Sequence, residues 1–387
     1  MGHNVPPTSS GRKYRWGGIA LALLCSITVL LVGLFVIPRL LTRSTQSGHH
    51  RAATPTPSPA TTSAISTAAK PIPPPSSFSF IASIDTMKAS RDTQHRPLSS
   101  NEIRDIVNLS ASLNTNYITV DTNWDYPDYI QQWVDAVRAA HRRVWFRAHP
   151  DKWESSDGMT PTEYEKVEQA FILQHPSLFQ AGDIFDPCSE PEQGHYWIAT
   201  YNTGWTYDGN TPNDGTREFN AFIRDTSDIA DAAFKQKGIS GVDTSIHSTN
   251  VYILLHILEQ ATVDKFKHVT LDSYPEDTTT DPASAVHARL SELATVENRW
   301  QVPVIIGEMG YSNKAPVDDV TQQSVLKAEL AAIAQLSYVT GVNYWVGAGS
   351  VTSGGYTYIL TKSGQTWTMR PAANELAAFY KAKLAQG

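Results

Sequence analysis

The chain has 387 residues, 41% of them hydrophobic and 18% charged, which is long enough and ordinary enough in composition to fill a large globular core. Its charge is uneven: residues 1–78 hold seven Lys/Arg and no Asp or Glu, leaving 24 basic against 38 acidic residues and a formal charge of about −14 beyond them. A body so acidic is unsuited to nucleic acid or to anionic membrane surfaces, and fits a neutral partner bound by stacking and hydrogen bonds.

From the N-terminus, residues 1–16 read as a short cytoplasmic tail, with Arg12, Lys13 and Arg15 before an uncharged run at 17–37. At 1.5 Å per residue that run spans about 31 Å, the hydrocarbon thickness of a bilayer. It is expected to be a transmembrane signal-anchor. A cleaved signal peptide is the competing reading, but its apolar core would be shorter, and "PRLLTRSTQ" offers no good small-residue cleavage site. Residues 38–77 form a Pro/Ser/Thr-rich linker containing "ATPTPSPATTSAISTAAKPIPPP", too poor in large apolar side chains to offset the entropy of ordering. An anchor followed by such a stalk places the next domain, residues 78–387, on the extracytoplasmic side of a cell membrane, as a single-pass protein. Cys25 and Cys188 lie one in the apolar run and one in the soluble body, so a disulfide between them is not expected.

Beyond the linker, short β-branched runs alternate with amphipathic stretches. Strands are expected at 78–85, 116–125, 143–150, 182–192, 239–248, 268–276, 302–311 and 341–349. Helices fall between them, including one continuous helix from Tyr252 to Asp264 and a closing helix near Pro371 to Leu384. Ser99 with Glu102, and Thr160 with Pro161 and Glu163, are helix-start signals. Eight strand–helix units predict an α/β fold, a (β/α)8 TIM barrel. The rival is a doubly wound open sheet, which would favour a glycine-rich phosphate loop after the first strand; "IDTMKASRD" is not one.

In such barrels the chemistry sits past the C-terminal ends of the strands. Those positions hold Asp85, Asp121, Asn123, Trp124, Arg147, His149, Glu190, Asp243, His247, Asp272, Tyr274, Glu308 and Trp345. Two carboxylates converging on one mouth are what glycosidic hydrolysis needs: one protonates the leaving oxygen, the other attacks carbon or activates water. Glu308 directly follows the apolar run Val302–Ile306, where a charge requires partners or a purpose. Glu190 competes with Glu192 for the other role. Arg147 and His149 divide between substrate contact and ion pairing with Asp121 or Asp85. Tryptophans 124, 145, 153, 197 and 205 could stack on sugar faces or anchor loops. The sequence holds no His-Glu-x-x-His, His-x-His or clustered cysteines, so no metal or other cofactor is expected, and no Gly-x-Ser-x-Gly elbow.

"SEPE" at 189–192 and "PVIIGEMGYS" at 303–312 resemble the large clan of retaining glycoside hydrolases that includes cellulases, mannanases and β-galactosidases. The resemblance covers the barrel. It implies Glu190 as acid/base and Glu308 as nucleophile, Tyr274 hydrogen-bonded to that nucleophile, and Trp345 as the floor of a sugar subsite. Ser189 stands where the clan usually has an asparagine that contacts the sugar 2-hydroxyl, so it becomes a candidate substrate contact together with Asn123, Trp124, Arg147, His149 and Asp85. The expected substrate is an oligo- or polysaccharide and the expected assembly a monomer. The alternative is a non-catalytic carbohydrate-binding barrel tethered at the cell surface, for which Ser189 is the motive.

Overall fold

The computed structural model describes residues 80–201, 212–275, 281–311, 315–350 and 356–386. The expected tail, transmembrane helix and linker (1–16, 17–37, 38–77) lie outside the described residues, as does Trp205. Among the described residues no helix is long and apolar enough to cross a membrane.

Eight parallel strands form the body: β1 (Ile81–Asp85), β2 (Tyr117–Val120), β3 (Arg143–Phe146), β4 (Ile184–Phe185), β5 (Ser248–Asn250), β6 (Val269–Asp272), β7 (Val304–Met309) and β8 (Val339–Tyr344). Their order is β4-β3-β2-β1-β8-β7-β6-β5. The ring closes where β4 meets the chain ahead of β5: Ile184 bridges Asp243, the Phe185 N–H reaches the Asp243 carbonyl at 2.8 Å, and the Asp243 N–H reaches Asp183 at 2.9 Å. The described residues thus form the expected barrel, most strands being shorter than their apolar runs because the polar ends turn into loops; the fifth is displaced, since the run expected at 239–248 gives only an isolated bridge at Asp243 and β5 begins at Ser248.

Around the strands lie α1 (Met87–Ser90), α2 (Ser100–Ser112), α3 (Pro127–Ala139), α4 (Pro161–Gln174), α5 (His195–Tyr201), α6 (Asp214–Gln236), α7 (Val251–His256), α8 (Gln260–Phe266), α9 (Pro282–Trp300), α10 (Asp319–Ile333) and α11 (Ala372–Leu384). The Ser99 and Thr160 capping boxes both form and start α2 and α4. The helix expected from Tyr252 to Asp264 is instead two helices. The Asn220 side chain takes the Ile257 carbonyl and the Glu259 N–H, both at 2.8 Å, and so stabilises a break that apolar spacing does not reveal. A hairpin, β9 (Leu360–Ser363) and β10 (Thr366–Met369), follows β8 and was not expected; Gly364 turns it with φ of 61°. The closing helix α11 is tied to the barrel wall by Tyr380, whose hydroxyl donates to the carbonyls of Ser83 and Val342.

Strand side chains alternate between the interior of the barrel and its helical jacket. Ala82, Ile84, Ile118, Val120, Val144 and Phe146 face the helices, in the main core. Ile81, Tyr117, Trp145, Ile184, Ile246 and Ile305 form a separate apolar cluster inside the barrel. Two residues further along the same strands, Ser83, Thr119 and Asn343 join through hydrogen bonds of 2.9 Å. Two further still come Asp85, Asp121 and Trp345, and Arg147 stands two past Trp145 of β3. The apolar bottom, neutral-polar middle and charged top all follow from the twofold strand period.

Candidate active site

Arg147, the residue immediately after β3 and 1% exposed, is the hub of the mouth. Its Nη1 donates to Glu308 Oε1 and lies 3.6 Å from Asp85 Oδ2 and 3.8 Å from Asp121 Oδ2. Its Nη2 donates to Asp272 Oδ2 at 3.2 Å and stands 3.9 Å from Glu190 Oε2. Burial disfavours the guanidinium charge, but the surrounding carboxylates outweigh it and raise the Arg147 pKa well above its ordinary value. The structure thus joins the two partners expected for Arg147, Asp85 and Asp121, to two stronger ones.

Glu308 sits in β7 at an interruption. The β7 register shifts against both β6 and β8 around Gly307 and Glu308. Val304 and Ile306 pack in the helical jacket, so strict alternation would send Glu308 there too; the bulge re-aims it into the mouth. The Tyr274 hydroxyl donates to Glu308 Oε2 at 3.1 Å. Gly307 makes room for this arrangement: a Cβ there would fall 2.1 Å from Ser248 Oγ and 2.7 Å from Asp272 Oδ1.

Glu190 approaches from the loop after β4. Its backbone is left-handed, φ 46° and ψ 57°, a conformation costing a side-chain-bearing residue about 1–2 kcal/mol. The strain is braced by its N–H, which donates to the Ser248 carbonyl at 2.8 Å, and by the single 3-10 turn opened by Pro191. The nearest carboxylate oxygens of Glu190, Asp272 and Glu308 lie within 4.8 Å of one another. Burial first, and the Glu308 charge second, push the Glu190 pKa up to about 7, with 29% of its side chain still open to the cleft. Asp85, fully buried, is also raised to about 7 by burial and then by Asp121. Asp272 is raised, mainly by burial. Burial and the mutual repulsion of these carboxylates favour the protonated forms of Glu190, Asp85 and Asp272.

Trp345 follows β8, 8% exposed, edge-on to Tyr274 with centroids 6.2 Å apart and with Lys88 5.7 Å above its ring. Its Nε1 donates to Met87 Sδ. Asn343 holds Asp85 by an amide hydrogen bond of 3.2 Å and the Gly307 carbonyl by another of 2.9 Å.

Beside the cluster opens a polar cavity of about 250 Å³ whose lining includes Arg91, Gln94, His95, Asn123, His149 and Glu154. His149 Nε2 lies 2.8 Å from Glu154 Oε1 and 3.3 Å from Arg91 Nη1. The Asn123 amide donates to the His149 carbonyl at 3.0 Å. Arg91 Nε also stands 3.6 Å from Asp121. His149 and Asn123 therefore shape a cavity beside the carboxylate cluster. Ser189 is 5% exposed, next to Glu190.

Trp124 does not join the site. It stacks on Phe171 at 5.2 Å and 7°, with Phe185 and Tyr164 against it, because alternation past β2 turns it outward under α4. Trp145, Trp153 and Trp197 are fully buried. His247 also points outward, lining a cavity of about 20 Å³ with His268 and Thr270, and Asp243 is spent on Ser245. Glu192 accepts two hydrogen bonds from Asn250, both at 2.9 Å. Arg91, Glu154 and Ser248 belong to the site's surroundings but were not singled out from the sequence. Arg91 and Glu154 lie in loops without periodicity, and Ser248 looks like any small polar strand residue.

No protein-family model matches the chain, and no curated protein does. Solved structures do. A GH5_18 protein from Bifidobacterium longum subsp. infantis has a TM-score of 0.55 at 12% identity over 79% of each chain. A glutamate-to-alanine variant of GH5_18 from Streptomyces cattleya, in complex with Manb1-4GlcNAc, has a TM-score of 0.55 at 14% identity, over 79% of this chain and 80% of that one. A beta-glucuronidase from an uncultured Clostridium has a TM-score of 0.53 at 13% identity, over 79% of this chain and 50% of that one. At such identities the likeness is one of architecture: this chain has the parallel α/β barrel of those proteins.

Proposed function

We propose that the chain is a retaining glycoside hydrolase cleaving O-glycosidic bonds of an extracytoplasmic glycan by double displacement, with Glu308 as nucleophile and Glu190 as acid/base. One separation carries this reading: the nearest oxygens of Glu190 and Glu308 lie within 4.8 Å. Retaining enzymes hold their carboxyl groups about 5–5.5 Å apart, whereas inverting ones need about 6.5–9.5 Å to admit a water. The hydrogen bonds around the two glutamates support the same assignment. Arg147 and Tyr274 both donate to Glu308, while burial raises the Glu190 pKa to about 7 and, among the described residues, neither donor bonds to it.

In the first step a Glu308 oxygen bonds to the anomeric carbon as the bond to the leaving oxygen breaks, and Glu190 gives its proton to that oxygen. In the second, Glu190 takes a proton from water, the water oxygen bonds to the anomeric carbon, and Glu308 departs. Trp345 and Tyr274 wall the sugar subsite, and His149, Asn123, Ser189 and Asp85 shape or support it. The disaccharide bound to the Streptomyces cattleya neighbour makes β-mannosides the first compounds to try. The apolar run 17–37 anchors the enzyme, residues 38–77 hold it off the membrane, and it acts as a monomer.

The test is hydrolysis of 4-nitrophenyl β-glycosides and of Manβ1-4GlcNAc, with the anomer first released read by proton NMR. A first product of retained configuration, absent in Glu308→Gln, is the expected result. An inverted first product, or binding without cleavage, would remove the reading. Resistance of the full chain to carbonate extraction, with shaving of its barrel by external protease, tests the anchor and its orientation separately.

A further inference from the structure

The mouth holds a third carboxylate that double displacement does not require. Asp272 ends β6 at 8% exposure, with an oxygen within 4.8 Å of both Glu190 and Glu308. The surrounding chain is built to place it. Ser248 Oγ donates to Asp272 Oδ1, and the absent side chain of Gly307 leaves space for that pair. Ser248 is also the residue whose carbonyl receives the Glu190 N–H. The other Asp272 oxygen takes Arg147 Nη2 at 3.2 Å, while Nη1 of the same planar group goes to Glu308. The guanidinium is thus fixed at both ends, and its Nη2 is left 3.9 Å from Glu190, beyond hydrogen-bond range.

We propose that Asp272 is a positioning residue: by holding Nη2 of Arg147 it aims the guanidinium at Glu308 and keeps it off Glu190, so that Glu190 retains the proton it must donate. This rests on the reading of Glu190 as acid/base. Without Asp272, Nη2 would have one carboxylate within reach, and a small rotation would close its gap to Glu190. A guanidinium in direct contact lowers a carboxyl pKa by about 1–3 units, enough to strip the proton at neutral pH. The other charged groups around Glu190 are Glu308 on β7, Arg91 after α1, Glu154 in the loop after β3 and Glu192 in its own loop. None of them bonds both Arg147 and the Ser248 hydroxyl.

The experiment is a carboxyl carbon-13 NMR titration of Glu190, its signal assigned by loss in Glu190→Gln, in the full chain with and without substitution at 272. Asp272→Ala is expected to move the Glu190 midpoint to lower pH by about one unit or more. Asp272→Asn, whose amide oxygen can still accept from Nη2, should restore most of it. An unmoved or raised midpoint in the alanine variant overturns the proposal. So does an asparagine variant displaced as far as alanine, since the charge of Asp272 and not its hold on Arg147 would then be responsible. Asp272→Ser, too short to reach the guanidinium, replaces alanine if that variant does not fold. The titration needs no glycan, so absence of hydrolysis in the unsubstituted protein would end the functional reading and leave this result standing.

Discussion

The barrel mouth and the aromatic wedge between β4 and helices α4 and α6 are neighbours built from overlapping stretches of chain, yet they treat charge in opposite ways. In the mouth, Asp85, Asp121, Glu190, Asp272 and Glu308 gather around Arg147. In the wedge, Trp124, Tyr164, Phe171, Phe185 and Phe222 pack ring on ring. The wedge contains Glu168, fully buried, with neither carboxylate oxygen hydrogen-bonded among the described residues. Burial pushes its pKa well up, so it sits there as a neutral acid. A buried carboxyl by itself therefore signals little; what separates the mouth is a cation shared among acids and an opening to solvent at Glu190. Asn123 and Trp124 are adjacent in sequence and fall on the two sides of this divide.

The comparison breaks most visibly at Glu308. Glu308→Gln should lower kcat by on the order of 10⁴-fold or more with little change in melting temperature, as befits a group on which the chemistry depends. An equal loss in both would make it a wedge-like residue. Trp124→Ala should do the reverse, costing about 3–5 kcal/mol in denaturant unfolding while KM for a small aryl glycoside stays put. A selective rise in KM would return Trp124 to the substrate. Next is the pH profile. Glu190 must be protonated to donate, and its pKa is raised to about 7, so kcat/KM should fall about tenfold per unit as pH climbs beyond that value. A profile flat to pH 9 would mean another acid. The smallest effect belongs to Glu168. Above the unfolded value near 4.5 the unfolded chain loses this proton and the folded chain keeps it, so stability declines as pH rises. Glu168→Gln should remove that decline, at most about 1.4 kcal/mol per unit, without altering turnover.

Much of the barrel is legible in the sequence because its signals are local. Ser99 with Glu102 and Thr160 with Glu163 start helices wherever they stand, and the apolar runs overlap the strands except at β5, which lies at the far end of the run expected at 239–248. Glu308 and Glu190 stand out because a charge after an apolar run and a glutamate before proline are visible in one dimension. Tertiary partnership is not. The split between α7 and α8 depends on Asn220, some forty residues earlier, and the position of Arg147 depends on Asp272, 125 residues later. The tryptophans divide by strand parity: Trp345 continues the inward series of β8, whereas Trp124 falls one step out of phase past β2. The β9–β10 hairpin carries an alternating pattern around Gly364, but it stands beyond the eight units that the barrel needs.

The join between β4 and the segment before β5 has a mechanical consequence. β4 has two residues, and its closure against 241–243 rests on one bridge and three backbone hydrogen bonds, whereas β7 and β8 are six residues each. A ring opens first where its stitching is shortest, so amide hydrogens at Gly182, Phe185 and Asp243 should exchange with deuterium well before those of Ile305 and Ile306. The loop bearing Glu190 leaves the barrel just beyond this line and is pinned across it to Ser248. Breathing of the wall there would lift the proposed proton donor while Glu308 stayed fixed, giving the two carboxyls a built-in difference in tempo.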